Sequence, residues 1–158
     1  MTDRHLNIDY KVYSSIDEME PADRILAKRA SDARKTAYAP YSRFYVGAAV
    51  LLDNGEIVTG SNQENAASPS GLCAERTAMF AASAHNPGVP MVGIAIAVGP
   101  ESGLCSSPAT PCGACRQVMS EYQKLGGKPM SVILVGASEI WKFSCVQDIL
   151  PFDFDSLD

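Results

Sequence analysis

Cys73-Ala74-Glu75-Arg76-Thr77-Ala78-Met79-Phe80-Ala81-Ala82-Ser83-Ala84-His85, then Asn86-Pro87-Gly88, then Met91-Val92-Gly93-Ile94-Ala95-Ile96-Ala97-Val98: the order of this stretch sets the fold. The first part reads as a helix, because good helix formers dominate it and neither Gly nor Pro interrupts it. Asn86-Pro87-Gly88 stops it. Met91 to Val98 is a short apolar run of strand length, the pattern of a strand buried on both faces. The same order then repeats. A helix is expected from near Cys112, with Cys115, Val118, Met119, Tyr122 and Leu125 as its apolar stripe. Gly126-Gly127 closes it, and Val132 to Val135 is the next strand.

Working outward, Val46 to Leu52 is a further strand, and Asp53-Asn54-Gly55 marks a hairpin with Glu56 to Gly60 returning. Upstream, Ile25, Leu26, Ala30, Ala33 and Ala37 recur at helical spacing until Pro40. The start of that helix reads in two ways, as a capping box at Ser15 to Glu18 or as Asp17 and Glu20 leading into Pro21. Trp141 to Ser144 gives a last short strand, followed by a short helix to Leu150. A hairpin followed by helix, strand, helix, strand implies an α/β fold, a mixed sheet covered by helices on both faces. The helix N-termini then gather at the sheet's carboxyl edge, where ligands usually bind. Residues 1–14 carry no periodicity and are expected to be poorly ordered. Residues 1–158 form one expected domain, with no repeat and no linker.

Composition narrows the function. The chain is 46% apolar and 20% charged, ordinary for a globular protein. A net charge of −5 argues against a nucleic-acid partner, which would need a basic stripe. No membrane span or leader pattern is visible, so a reducing, cytoplasmic location is expected. There the five cysteines favour metal binding or catalysis over disulfides.

Two elements carry chemistry: Cys73-Ala74-Glu75 and Pro111-Cys112-Gly113-Ala114-Cys115. Each opens a helix, where free N–H groups and the dipole favour a thiolate. Two such turns can deliver three thiolates, Cys73, Cys112 and Cys115, to one point. Tetrahedral zinc held by three protein ligands keeps one position open for water, as a catalytic site requires. Glu75 beside three thiolates is explained by a proton-shuttling role. Arg76 can offset the thiolate charge by donating to sulfur. Cys105 and Cys145 fit no ligand spacing and read as small buried residues, although Cys105 is the one candidate fourth ligand. His85 suits a helix C-terminus, and His5 falls in the unpatterned segment.

Cys-x-Glu followed by Pro-Cys-x-x-Cys matches the signature of zinc nucleobase deaminases. From Tyr38 to Phe154 the sequence resembles the small zinc-dependent cytidine deaminases with three cysteine ligands. The blocks are Tyr38 to Ala49, Gly60-Ser61-Asn62-Gln63-Glu64-Asn65-Ala66, Cys73-Ala74-Glu75-Arg76, Pro111 to Gln117, and Leu150-Pro151 with Phe154. The resemblance implies a three-layer helix–sheet–helix sandwich with a mixed five-stranded sheet. It implies hydrolytic deamination of cytidine and deoxycytidine to the uridine nucleosides and ammonia, as in pyrimidine salvage, with one Zn2+ per subunit. Zinc-bound hydroxide would attack C4, and Glu75 would carry the proton to N3 and then to the leaving amine. Phe44 would pack on the pyrimidine, Asn62 and Glu64 would bind the ribose 3′-hydroxyl, and the Ala74 backbone would fix the base. Phe154 would close a neighbouring subunit's site in a homotetramer or, alternatively, a dimer. The partner class is a small nucleoside, with neither nucleic acid nor membrane. Taken alone, Phe44 reads as core, and Asn62 and Glu64 read equally as turn or ligand residues. Ser68 departs from the tyrosine of many members, the loop Ser106 to Thr110 is long, and the N-terminus is extended. Alternatives are deamination of another nucleoside-like substrate, a Cys-x-x-Cys redox protein, or a zinc module without catalysis.

Overall fold

The computed structural model describes residues 1–155. Its elements are β1 (Lys11–Tyr13), α1 (Pro21–Ala33), β2 (Tyr45–Leu52), β3 (Ile57–Ser61), α2 (Ala74–His85), β4 (Met91–Gly99), α3 (Gly113–Gly126), β5 (Ser131–Val135) and β6 (Ile140–Phe143). They form a single sheet in the order β1-β6-β5-β4-β2-β3. Only β4 and β5 run parallel, joined by the crossover through α3. The β2–β3, β2–β4, β5–β6 and β1–β6 pairs are antiparallel. The three-layer sandwich is the expected one.

The sheet has six strands, not the five expected. The sixth is β1, from the segment read as unpatterned, which pairs Lys11 to Lys142 and Tyr13 to Ile140. A three-residue edge strand with exposed faces leaves no alternation to read. Tyr10, just before it, stacks on Phe143 at 5.0 Å between ring centroids. The expected helix towards Leu150 is one turn only, Val146–Asp148. For α1, Pro21 occupies the first turn, so the Glu20-Pro21 start holds. Ser15 instead caps a separate single turn, its hydroxyl accepting the Asp17 N–H.

The side-chain period of two sorts the core into two layers. On β4, Ile94, Ile96 and Val98 join Met79, Met119 and Ala78 beneath α2 and α3. Ala95 and Ala97 point the other way, with Ala49 and Ile133, against Leu26, Ala27 and Ala30 of α1. Alanine on that face lets α1 lie close to the sheet. Contact is closest at Gly47, where a Cβ would come within 2.1 Å of the Ala30 carbonyl oxygen.

Two expected core residues are on the surface. Ile25 is exposed on α1, and Leu125 is exposed on α3. The buried face of α3 instead includes Ser120 and Gln123. Gln123 is satisfied there: its Oε1 accepts the Met130 and Val146 N–H groups at 2.9 and 3.0 Å. A fully bonded polar group costs little to bury.

The topology places the site. Tyr45 at the start of β2 pairs with Gly99 at the end of β4, and Gly47 pairs with Ser61 at the end of β3. Phe44, Asn62, the start of α2 and the loop leading into α3 therefore meet at one edge of the sheet.

Candidate active site

Cys73 is the N-cap of α2 and Cys112 the N-cap of α3, both with extended backbone. Cys115 follows one turn into α3, and Glu75 lies in the first turn of α2. Neither capping cysteine uses its side chain to satisfy helix N–H groups, so both sulfurs are free to turn towards each other. The three Sγ atoms lie within 4.8 Å of one another, with Cys112 and Cys115 3.5 Å apart. Among the described residues no other cluster of potential ligands is this close, and Cys105 stands outside it.

The electrostatics reflect this crowding. Cys73 is lowered to about 5, first because the Cys115 thiol donates to it and then through Arg76. Cys115, hydrogen-bonded to Cys73 and buried, is pushed well above the ordinary thiol range. Arg76 Nη2 reaches the Cys73 sulfur at 3.5 Å. The donor set fits zinc: three soft sulfurs, two at helix N-termini, with the Cys112–Cys115 separation of 3.5 Å close to the roughly 3.8 Å that tetrahedral bonds of about 2.3 Å span. Metal coordination deprotonates such thiols outright.

Glu75 is 5% exposed. Burial raises its pKa, and the charge on Cys73 raises it further, against its own backbone N–H and Arg76. It lines a cavity of about 210 Å³ together with Phe44, Asn62, Cys73, Ala74 and Cys112. Its remaining walls, Ile96, Val98 and Pro111 among them, are mostly apolar. An adjoining cleft of about 450 Å³ shares Asn62 and Cys73 and is lined by Tyr41, Glu64, Ser68 and Arg76.

The structure thus gathers Cys73, Cys112, Glu75, Phe44, Asn62 and Ala74 around one cavity, with the buried Cys115 sulfur behind the other two. Glu64 faces the cleft beside it. Its carboxylate is held ionised below its usual range by the Ser42 side chain and the Tyr41 N–H. Phe154 does not line the cavity. Gln117 accepts its N–H and donates to its carbonyl oxygen at 3.2 and 2.6 Å, and the residue is 65% exposed.

Arg116 follows Cys115 in the second cysteine block. Its Nε donates to the Pro111 carbonyl and its Nη1 to the Ile149 carbonyl, both at 2.7 Å, tying the Cys112 turn to the C-terminal segment. Arg34 lies outside every one of these blocks. It donates to the Tyr45, Pro100 and Gly103 carbonyls and so holds the loop after β4. Carbonyl partners this far along the chain leave no trace in sequence spacing.

A buried carboxylate beside three converging thiols, at the carboxyl edge of an α/β sandwich, defines a hydrolytic metal-site class. A profile of the cytidine and deoxycytidylate deaminase zinc-binding region matches residues 21–125. The cytidine deaminase of Halalkalibacterium halodurans is 49% identical over 98 residues, spanning 62% of this chain and 70% of that protein. That of Sporosarcina psychrophila is 44% identical over 97 residues, 61% of this chain and 67% of the relative. The crystal structure of cytidine deaminase from Burkholderia pseudomallei superposes with a TM-score of 0.70 at 41% identity, covering 82% of this chain and 97% of that one. The Mycobacterium tuberculosis enzyme gives 0.67 at 32% identity, covering 84% and 96%. The chain belongs to the cytidine and deoxycytidylate deaminase family. Among the described residues, no helix is long and apolar enough to cross a membrane.

Proposed function

We propose that this chain hydrolyses cytidine and deoxycytidine to uridine and deoxyuridine, releasing ammonia, as one catalytic domain serving pyrimidine salvage. The observation that carries the reading is the buried Glu75 beside three thiols, in a cavity that also presents Phe44 and Asn62. Cys73, Cys112 and Cys115 would hold one zinc ion, whose Lewis acidity activates water near neutral pH.

The remaining chemistry belongs to the chain's own residues. Glu75 takes a proton from the attacking water as its oxygen adds to C4, and delivers that proton to N3. It then takes the second proton from the hydroxyl now on C4 and passes it to the amino group, so that the C4 carbonyl forms as the C–N bond breaks and ammonia leaves. One carboxylate performs both transfers best when its pKa lies towards the working pH, and burial moves Glu75 in that direction. Arg76 and the two helix N-termini offset the negative charge of the sulfurs. Phe44 packs against the pyrimidine, the Ala74 backbone fixes the base, and Asn62 and Glu64 bind the ribose 3′-hydroxyl. The mostly apolar walls exclude bulk water and strengthen these contacts.

The reading extends to a homo-oligomer, a tetramer or alternatively a dimer, in a cytoplasmic setting. An exposed Phe154 ring, with its backbone fixed by Gln117, supports a role in completing a neighbouring site. The test is incubation of purified, zinc-loaded protein with cytidine, following uridine and ammonia. Uridine and ammonia in equal amounts support the reading. Zinc-loaded protein that forms neither from cytidine or deoxycytidine overturns it.

A further inference from the structure

The loop that delivers Phe44 is gripped on both sides of a strained residue. Arg43 has φ of 54°, the left-handed region that costs free energy in any residue with a Cβ. Upstream of it, the Tyr41 and Ser42 N–H groups donate to Glu64 Oε2 at 2.9 and 3.3 Å. Downstream, Asn62 Nδ2 donates to the Phe44 carbonyl at 2.9 Å, and its Oδ1 accepts the Val46 N–H at 2.8 Å. The main chain joins the same elements: Tyr38 N–H donates to the Asn62 carbonyl and Glu64 N–H to the Tyr38 carbonyl. Asn62 and Glu64 therefore bond the backbone of the loop that carries Phe44.

We propose that Asn62 and Glu64 are positioning residues that latch the Tyr41–Val46 loop and hold Phe44 at the cavity whether or not a sugar is bound. This rests on the functional reading above and adds a second task to the two residues it assigns to the ribose. The two tasks are compatible. An amide has two N–H donors and an oxygen with two lone pairs, and Asn62 uses one of each on the loop. Glu64 engages the loop backbone through Oε2 and also lines the open cleft, where a carboxylate has lone pairs to spare. Each side chain keeps a free polar group for a hydroxyl.

A substrate without the 3′-hydroxyl separates the tasks. Wild type, N62A, E64A and E64Q are compared on cytidine and on 2′,3′-dideoxycytidine. The readout for the latter is kcat/KM, or inhibition of cytidine turnover where its own turnover is slow. The latch makes N62A and E64A lose about tenfold on dideoxycytidine, the change carried by one net hydrogen bond to a charged or fixed group. E64Q keeps an oxygen that accepts both N–H groups and recovers most of that loss. Amide hydrogen exchange in the substrate-free protein reads the loop directly. Exchange at Tyr41 and Ser42 rises in E64A, and exchange at Val46 rises in N62A, with thermal midpoints near wild type. Variants that match wild type on dideoxycytidine and in loop exchange, while losing cytidine turnover, overturn the latch and leave a sugar contact alone. A wild-type chain inactive on cytidine overturns the functional reading instead, and the exchange rates then decide the latch by themselves.

Discussion

Replacing Gly60 by alanine probes how closely α2, with Cys73 and Glu75 at its start, must seat on the sheet. Gly60 lies on β3 opposite Ala48. A Cβ there would sit 2.5 Å from the Ala78 nitrogen and 2.9 Å from both the Ala74 oxygen and the Ala78 Cα, all backbone of α2. Carbon contacts settle near 3.5 Å, so strand and helix must part by roughly 1 Å. Backbone cannot rotate aside as a side chain can. Overpacking of this kind costs about 1–3 kcal/mol. At this chain length that lowers the thermal midpoint by about 2–4 °C per kcal/mol. The shift falls on the first turn of α2, where a misplacement of about 1 Å can cost ~100-fold in turnover. The assay pairs a thermal melt of zinc-loaded G60A with kcat/KM on cytidine. G47A is the control: its Cβ would meet α1, at Ala30 and Arg34, on the opposite face of the sheet. It should lose stability to a similar degree and turnover far less. A G60A protein with wild-type midpoint and turnover would refute the close approach.

Further outcomes follow from the same geometry. C112S and C115S should lose stoichiometric zinc, whereas C105S and C145S should keep one ion per chain by elemental analysis; zinc lost in C105S would put a fourth ligand in the site. Asp153 is held below the usual carboxylate range, first by the Ser120 hydroxyl and then by Lys124. A carboxyl whose folded pKa is depressed stabilises above its unfolded value and loses that contribution as pH falls through the folded one. Proteolytic protection of residues 149–155 should therefore persist at neutral pH and fade in acid, at a higher pH in S120A than in wild type. Protection that ignores pH would remove Asp153 from the tail's attachment.

The parts of the fold legible in the sequence are those where packing imposes a period. Along β4 and β5 nearly every position is buried, α2 buries one face through Ala74, Ala78, Met79 and Ala82, and the limits of all three lie within a residue or two of expectation. Pattern reading failed where burial is thin or polar. Strand β1 has one neighbour and no buried residue. The face of α3 was misjudged because Gln123 and Ser120 are buried through hydrogen bonds to residues far along the chain, while Leu125 is left outside. The metal cluster was legible for the opposite reason. Its chemistry sits at two helix starts, each encoded within a few residues. Asn62 and Glu64 were found through their block, but their grip on the Phe44 loop spans some twenty residues, beyond the reach of local spacing.

The most direct test of the central claim compares wild type with E75Q, measuring zinc content beside uridine and ammonia released from cytidine. The amide keeps the shape of Glu75 and cannot carry the proton. The account expects one zinc per chain in both proteins, equal uridine and ammonia from the wild type, and a fall of at least about 100-fold in E75Q. An E75Q protein that holds its zinc and still turns over at the wild-type rate would contradict the shuttle role of Glu75.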